Sequence, residues 1–244
     1  MCVIAFQTKN QDLLTYEEIK NMALTNPHGM GWMANLGGRI FYKKGYFNVD
    51  EFYNDYITLR NNPELVDIAL HFRIGTGSAI DVANCHPFPI TGSKKRLKKS
   101  KGTCDVAIMM NGIIGKSTQE LSDTAIFTMT QLKKYYNMDK RFFLHLTKIQ
   151  KKAFDNEIGS CRFVFMSKDG SKLFGHGWSD YEGKAQVSNR HWIPRAIKPY
   201  SYFEDDYSYD YEDWWTPKRS KRFATKTDEA QHKSYIDYLM QGVN

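Results

Sequence analysis

The chain opens Met1-Cys2-Val3-Ile4-Ala5-Phe6, and how these six residues are read decides the fold. Val3 to Phe6 is an apolar run, which predicts a buried strand over residues 2–8 that holds the terminus rigidly. Methionine aminopeptidases accept small second residues, so Cys2 can become the first residue. It would then carry both a thiol and a free α-amine. A thiol needs a base to become a good nucleophile. A free α-amine titrates near about 7.7–8.0, which suits a base at neutral pH. Threonine paired with an N-terminal amine works by the same logic. A second-position cysteine says little alone, and its meaning comes from the rest of the chain.

The 244 residues fit one large domain, or one domain with an appendage. A 41% hydrophobic and 25% charged composition is that of a globular chain able to bury a full core. No apolar run reaches the ~18 residues of a membrane helix. No basic segment followed by an apolar stretch marks a secretory leader, so a cytoplasmic location and no membrane partner are expected. Cys2, Cys85, Cys104 and Cys161 form no Cys-x-x-Cys pair and are expected as free thiols. His71, Cys85, His86 and Cys104 match no standard zinc spacing, so neither metal nor cofactor is expected.

Along the chain, helices are predicted over Tyr16 to Asn26, with Thr15 and Glu18 as a capping box, and over Asp50 to Arg60. Met30 to Asn35 and Arg39 to Lys44 flank Leu36-Gly37-Gly38 as a hairpin, and Val66 to Phe72 is an apolar strand. Asp105 to Met110 reads as a strand ending at Asn111-Gly112. Two helices follow, Ser122 to Tyr136 and Asp139 to Phe154, the second amphipathic through Phe142, Phe143, Leu146, Ile149 and Phe154. Arg162 to Met166, Lys172 to Gly175 and Gly183 to Ser188 read as closing strands. Strands, then helices, then strands is an α+β order. Residues 1–199 are expected to form one domain and residues 200–244 an acidic and aromatic, then basic, appendage, partly flexible.

Five pieces then stand in order: Cys2, the Arg73 loop, Asn84-x-His86-Pro87, Asn111-Gly112 and Ser122-Asp123-Thr124. A thiol attacking an amide creates an oxyanion, which needs preorganised donors. Asn111 offers a side-chain N–H and Gly112 a backbone N–H. Arg73 offers a fork for a carboxylate, and Asp123 an anion for an ammonium. Hydrolysis of the side-chain amide of glutamine would need such a set. His86 is read either as a satisfied loop histidine or as part of the substrate site.

This ordered set resembles the class II glutamine amidotransferases, the N-terminal-nucleophile (Ntn) group, over roughly residues 2–195. The likeness is sharpest at Met1-Cys2, His71-x-Arg73-x-x-Thr76, Asn84-x-His86-Pro87-Phe88, Asn111-Gly112-Ile113-Ile114 and Ser122-Asp123-Thr124. Gly29-Met30-Gly31-Trp32 is most similar to the stand-alone branch, without a fused synthase. The resemblance implies a four-layer αββα sandwich with two antiparallel sheets between helix layers. It implies Cys2 as nucleophile with its own amine as base, and Asn111 and Gly112 as the oxyanion hole. Arg73 and Thr76 would bind the α-carboxylate of glutamine, or of a related amide, and Asp123 the α-ammonium. Ile74 and Gly77-Ser78 depart from the synthase-fused members, which usually carry a bulky aromatic and a histidine-glycine there. No synthase domain is read after residue 200, so a separate acceptor enzyme would have to use the ammonia. The alternative is an inactive amidotransferase-fold binding module acting through its basic loop or its tail.

That loop, residues 94–101, holds six cations in eight residues. Charge runs are ordinarily solvated faces. A nucleic-acid contact lacks a stacking aromatic within the run. The six acids of residues 204–213 match the loop in number, which raises the expectation that the tail lies over the loop.

Overall fold

A computed structural model of the chain describes residues 1–75 and 77–194. All of these fall in one compact unit, Met1–Ala196. The tail, and with it the expected tail–loop contact, lies outside the described residues, as does Thr76.

The first strand, β1 (Val3–Thr8), is buried on both faces, which is why it reads as a continuous apolar run rather than an alternating one. It is followed by α1 (Tyr16–Thr25), β2 (Met30–Leu36), β3 (Arg39–Tyr46), α2 (Val49–Arg60) and β4 (Leu65–Phe72). Next come a 3₁₀ turn (Val82–Asn84), β5 (Phe88–Pro89), the single helical turn α3 (Lys94–Leu97), β6 (Lys101–Cys104) and β7 (Val106–Asn111). The helical stretch after β7 is α4 (Asp123–Phe127), a π segment (Thr128–Leu132) and α5 (Lys133–Met138). A 3₁₀ turn (Phe142–Leu144), α6 (Lys148–Ile158), β8 (Arg162–Ser167), β9 (Gly170–Phe174), β10 (Ser179–Tyr181) and β11 (Ala185–Val187) complete the described residues.

Two antiparallel sheets result, in the orders β10-β11-β1-β4-β2-β3-β6 and β5-β7-β8-β9, which makes the fold α+β. Strand alternation sorts the side chains into layers. Ile4, Met33 and Ala69 of the first sheet meet Ala107, Met109, Val164 and Met166 of the second. On its other face the first sheet packs Val3, Ala5, Leu70 and Phe72 against Ile19 and Met22 of α1 and Phe52 and Tyr56 of α2. The far face of the second sheet packs Ile108, Phe163 and Phe165 against Ala125, Tyr136 and Phe154 of α4–α6. Burying one such ring stabilises by ~2–3 kcal/mol.

Local chemistry sets the helix ends. Thr15 and Glu18 form the expected capping box of α1, and Ser122 accepts from Ala125 N–H to cap α4. The predicted helix from Asp139 to Phe154 is replaced by two pieces. A second capping box, Thr147 with Gln150, starts α6 only at Lys148. Phe142 and Phe143 reach the core from the short 3₁₀ turn, while Ile149 is 83% exposed. The basic run also departs from a plain loop, because Ser93 caps a helical turn and Lys101 opens the edge strand β6.

Candidate functional site

Antiparallel pairing of β1 with β4 sets Val3 opposite Phe72, so Cys2 and Arg73 emerge side by side at one end of the first sheet. Met110 and Asn111 end β7 of the second sheet at the same place. His71 Nε2 lies 3.1 Å from the Met110 carbonyl and bridges the two sheets there. One narrow cleft is lined by Cys2, Arg73, His86, Gly112 and Asp123, together with Ile74 and Ser122. Five of the seven expected site residues thus meet. Thr76 is not described, and Asn111 is buried behind the cleft rather than lining it.

Cys2 is half-buried. Its Sγ accepts the Ile74 N–H at 3.3 Å and lies 3.6 Å from the Ile74 carbonyl oxygen. Burial pushes the thiol pKa up, against the downward pull of the Ile74 contact and the Arg73 guanidinium. Its carbonyl is fastened by Asn189 Nδ2 at 2.6 Å.

Arg73 is buried and already tied to its own loop, donating to the Ala79 carbonyl at 3.1 Å and Ser78 Oγ at 2.8 Å. A guanidinium carries five N–H donors, so these bonds leave capacity for a carboxylate. The turn at His28 braces the same loop: Gly75 N–H donates to His28 Nδ1 at 2.8 Å, and His28 N–H to the Arg73 carbonyl at 2.9 Å. Asp123 sits in the first turn of α4, where the helix dipole favours a carboxylate. It accepts the Ile114 N–H at 2.8 Å and the Thr124 N–H at 2.7 Å, which locks α4 to the segment after Gly112.

Gly112 has φ 143°, a backbone open to glycine, and an added Cβ would stand 2.6 Å from Cys161 Sγ. Asn111 was expected to aim its amide at the site. Its Nδ2 instead donates to Ser188 Oγ at 2.9 Å, and its Oδ1 is buried without a partner among the described residues. Ser188 Oγ also accepts the Ile4 N–H at 2.9 Å, so one hydroxyl ties β1 to β7. Ser188 and Asn189 were not singled out from sequence. The only signal is a polar pair at the end of the predicted last strand.

His86 follows a second route into the cleft. Gly31 admits it, because a Cβ there would lie 2.0 Å from the His86 carbonyl oxygen. His86 Nδ1 lies 2.6 Å from His71 Nε2. The Met110 carbonyl can only accept, so the proton resides on His71 Nε2 and is shared between that carbonyl and His86. His86 then carries its own proton on Nε2, which has no partner among the described residues. Burial drives His71 down to about 3 and His86 well below its usual range, so both are neutral at pH 7. His86 is therefore a neutral donor in the wall and not an acid–base group.

Behind this wall Lys44 is buried with no carboxylate partner among the described residues. Its ammonium donates to the Ala83 and Leu97 carbonyls at 2.9 Å each and stands 4.2 Å over the Phe88 ring. It thereby pins the Val82–Asn84 turn and Phe88 to the end of α3. Burial lowers its pKa to about 7. The free space in the cleft is about 30 Å³, room for a water and not for an amino acid.

All four cysteines are free. Among the described residues no group of His, Cys, Asp or Glu is placed to hold a metal ion, and no helix is long and apolar enough to cross a membrane. No family model and no curated protein matches the chain. Among solved structures it is similar to a glutamine phosphoribosylpyrophosphate (PRPP) amidotransferase from B. subtilis complexed with ADP and GMP. The sequences are 17% identical and the TM-score is 0.41, over 69% of this chain and 35% of that one. The chain spans about a third of that structure's length.

Proposed function

We propose that the chain is an amide hydrolase of the class II glutamine amidotransferase type, with an Ntn-type αββα fold, acting on glutamine or a related amide. The observation that carries this reading is the meeting of Cys2, Arg73, Gly112 and Asp123, from four separated stretches, in one cleft. After removal of Met1 the Cys2 amine takes the thiol proton, and the sulfur attacks the amide carbon. Gly112 N–H receives the developing oxyanion, and Asn111, held behind the cleft by Ser188, positions the strand end beneath it. Collapse expels ammonia, which carries away the proton, and leaves a thioester on Cys2. Water, deprotonated by the same amine, attacks the thioester carbonyl and releases the acid and the thiol. Arg73, with Thr76, holds the α-carboxylate, Asp123 the α-ammonium, and His86 donates from the wall. The ammonia passes to an acceptor.

The test is ammonia release from glutamine by protein lacking Met1. Activity abolished in Cys2→Ala, with Arg73→Lys raising KM far more than it lowers kcat, supports the assignment. Processed protein without turnover on glutamine or on other γ-glutamyl amides refutes it, and a binding module built on the same fold then becomes the better reading.

A further inference from the structure

Strand β7 has a second end. Next to Val106, on the side remote from Asn111, a cleft of about 340 Å³ opens between α3, the end of β5 and α5. Six residues of β7 separate the two places by ~20 Å. Arg96, Lys133 and Lys140 line this second cleft, with Asn137 and Asp105.

The basic run divides its labour here. Lys94 and Lys98 are both paired with Glu120 and serve the structure. Arg96, Lys133 and Lys140 have no carboxylate within ion-pair distance among the described residues. The carboxylate in the cleft, Asp105, accepts the Tyr136 hydroxyl at 2.7 Å. Burial and that carboxylate raise the Tyr136 pKa to about 12, so it remains a donor. Three cations face one anion, and they come from three separate positions on the fold. Cations converging on a cleft with low-dielectric walls focus their field, unlike lysines scattered on a convex surface. A net charge of two, with a guanidinium fork among the donors, suits a phosphoryl dianion better than a singly charged carboxylate.

We propose that this cleft binds a phosphate-bearing small molecule, with Arg96, Lys133 and Lys140 holding its phosphoryl group. The site is independent of the amide chemistry at Cys2. The experiment is calorimetric titration of the full chain with pyrophosphate at low and moderate salt. One saturable site is expected, weakening as salt rises. Arg96→Gln and Lys133→Gln should each weaken binding ~tenfold or more. Asp105→Asn keeps an acceptor for Tyr136, removes the negative charge and should tighten binding several-fold, which a misfolded variant could not do. Lys151→Gln, on α6, should change nothing. No saturable binding, or binding indifferent to Arg96, Lys133 and Asp105, overturns the proposal. A single-stranded oligonucleotide that binds where pyrophosphate fails to compete, with Lys95 and Lys99 contributing equally, also overturns it and points to nucleic acid.

Discussion

The two ends of β7 solve opposite problems. At Asn111 the polar groups are buried or half-buried, mostly committed already to partners within the chain, and crowded around about 30 Å³. At Asp105 the cations have no carboxylate within ion-pair distance among the described residues, with Arg96 and Lys140 exposed and Lys133 half-buried over the Tyr136 ring, and they are arranged around ten times that volume. The first arrangement fixes geometry at the cost of entry and suits chemistry on a held substrate. The second leaves charge available and suits capture. Position in one strand therefore says little about a residue's role, whereas burial and prior commitment of its hydrogen bonds say much.

The comparison breaks first at Cys2. Cys2→Ala should reduce amide turnover by ~10³-fold or more while leaving pyrophosphate binding and thermal stability unchanged. Kinetics and calorimetry on one preparation check both halves. Gly112→Ala forces a Cβ onto Cys161 at an unfavourable φ, and should cost ~2–4 kcal/mol in denaturant unfolding as well as activity. Ser188→Ala leaves the Ile4 N–H and the Asn111 amide without their acceptor. A loss of ~1–3 kcal/mol is expected, with kcat falling more than KM rises.

Lys44 sharpens the contrast through pH. Its pKa falls from 10.5 in the unfolded chain to about 7 in the fold, so between these values the unfolded state holds the proton that the native state has released. Stability from this group should rise as pH increases from about 7 toward 10.5, and Lys44→Met should flatten that rise in denaturation midpoints. The smallest effect belongs to the exposed Lys94–Glu120–Lys98 cluster. Glu120→Gln should shift the melting temperature marginally, and less still at high salt.

Much of the α+β order was legible because its signals are local. Thr15 with Glu18 and the cap at Ser122 announce their helices, and Val3 to Phe6 announces the strand under Cys2. The helix predicted from Asp139 failed because its apolar spacing fits one helix while Thr147 and Gln150 start another. Periodicity recorded which residues are apolar, and Ile149 shows that not all of them face inward. At the site, Cys2, Arg73, His86, Gly112 and Asp123 carry recognisable chemistry, and the fold brings them together. Ser188 and Asn189 were silent because their partners, Ile4, Asn111 and Cys2, lie 77 to 187 residues away, across strand pairings that no local pattern encodes. Lys44 was silent for a related reason. A lysine on a strand reads as solvent-facing until the loops that cover it are in place.

The proposed function stands or falls on whether Cys2 is the nucleophile for a glutamine-type amide. Intact-mass measurement before and after exposure to an electrophilic glutamine analogue, with Cys2→Ala alongside, tests it most directly. The expected result is a chain lacking Met1 that gains one adduct, absent in Cys2→Ala and suppressed by excess glutamine. A processed chain that takes up no adduct, or takes it up equally without Cys2, would contradict it.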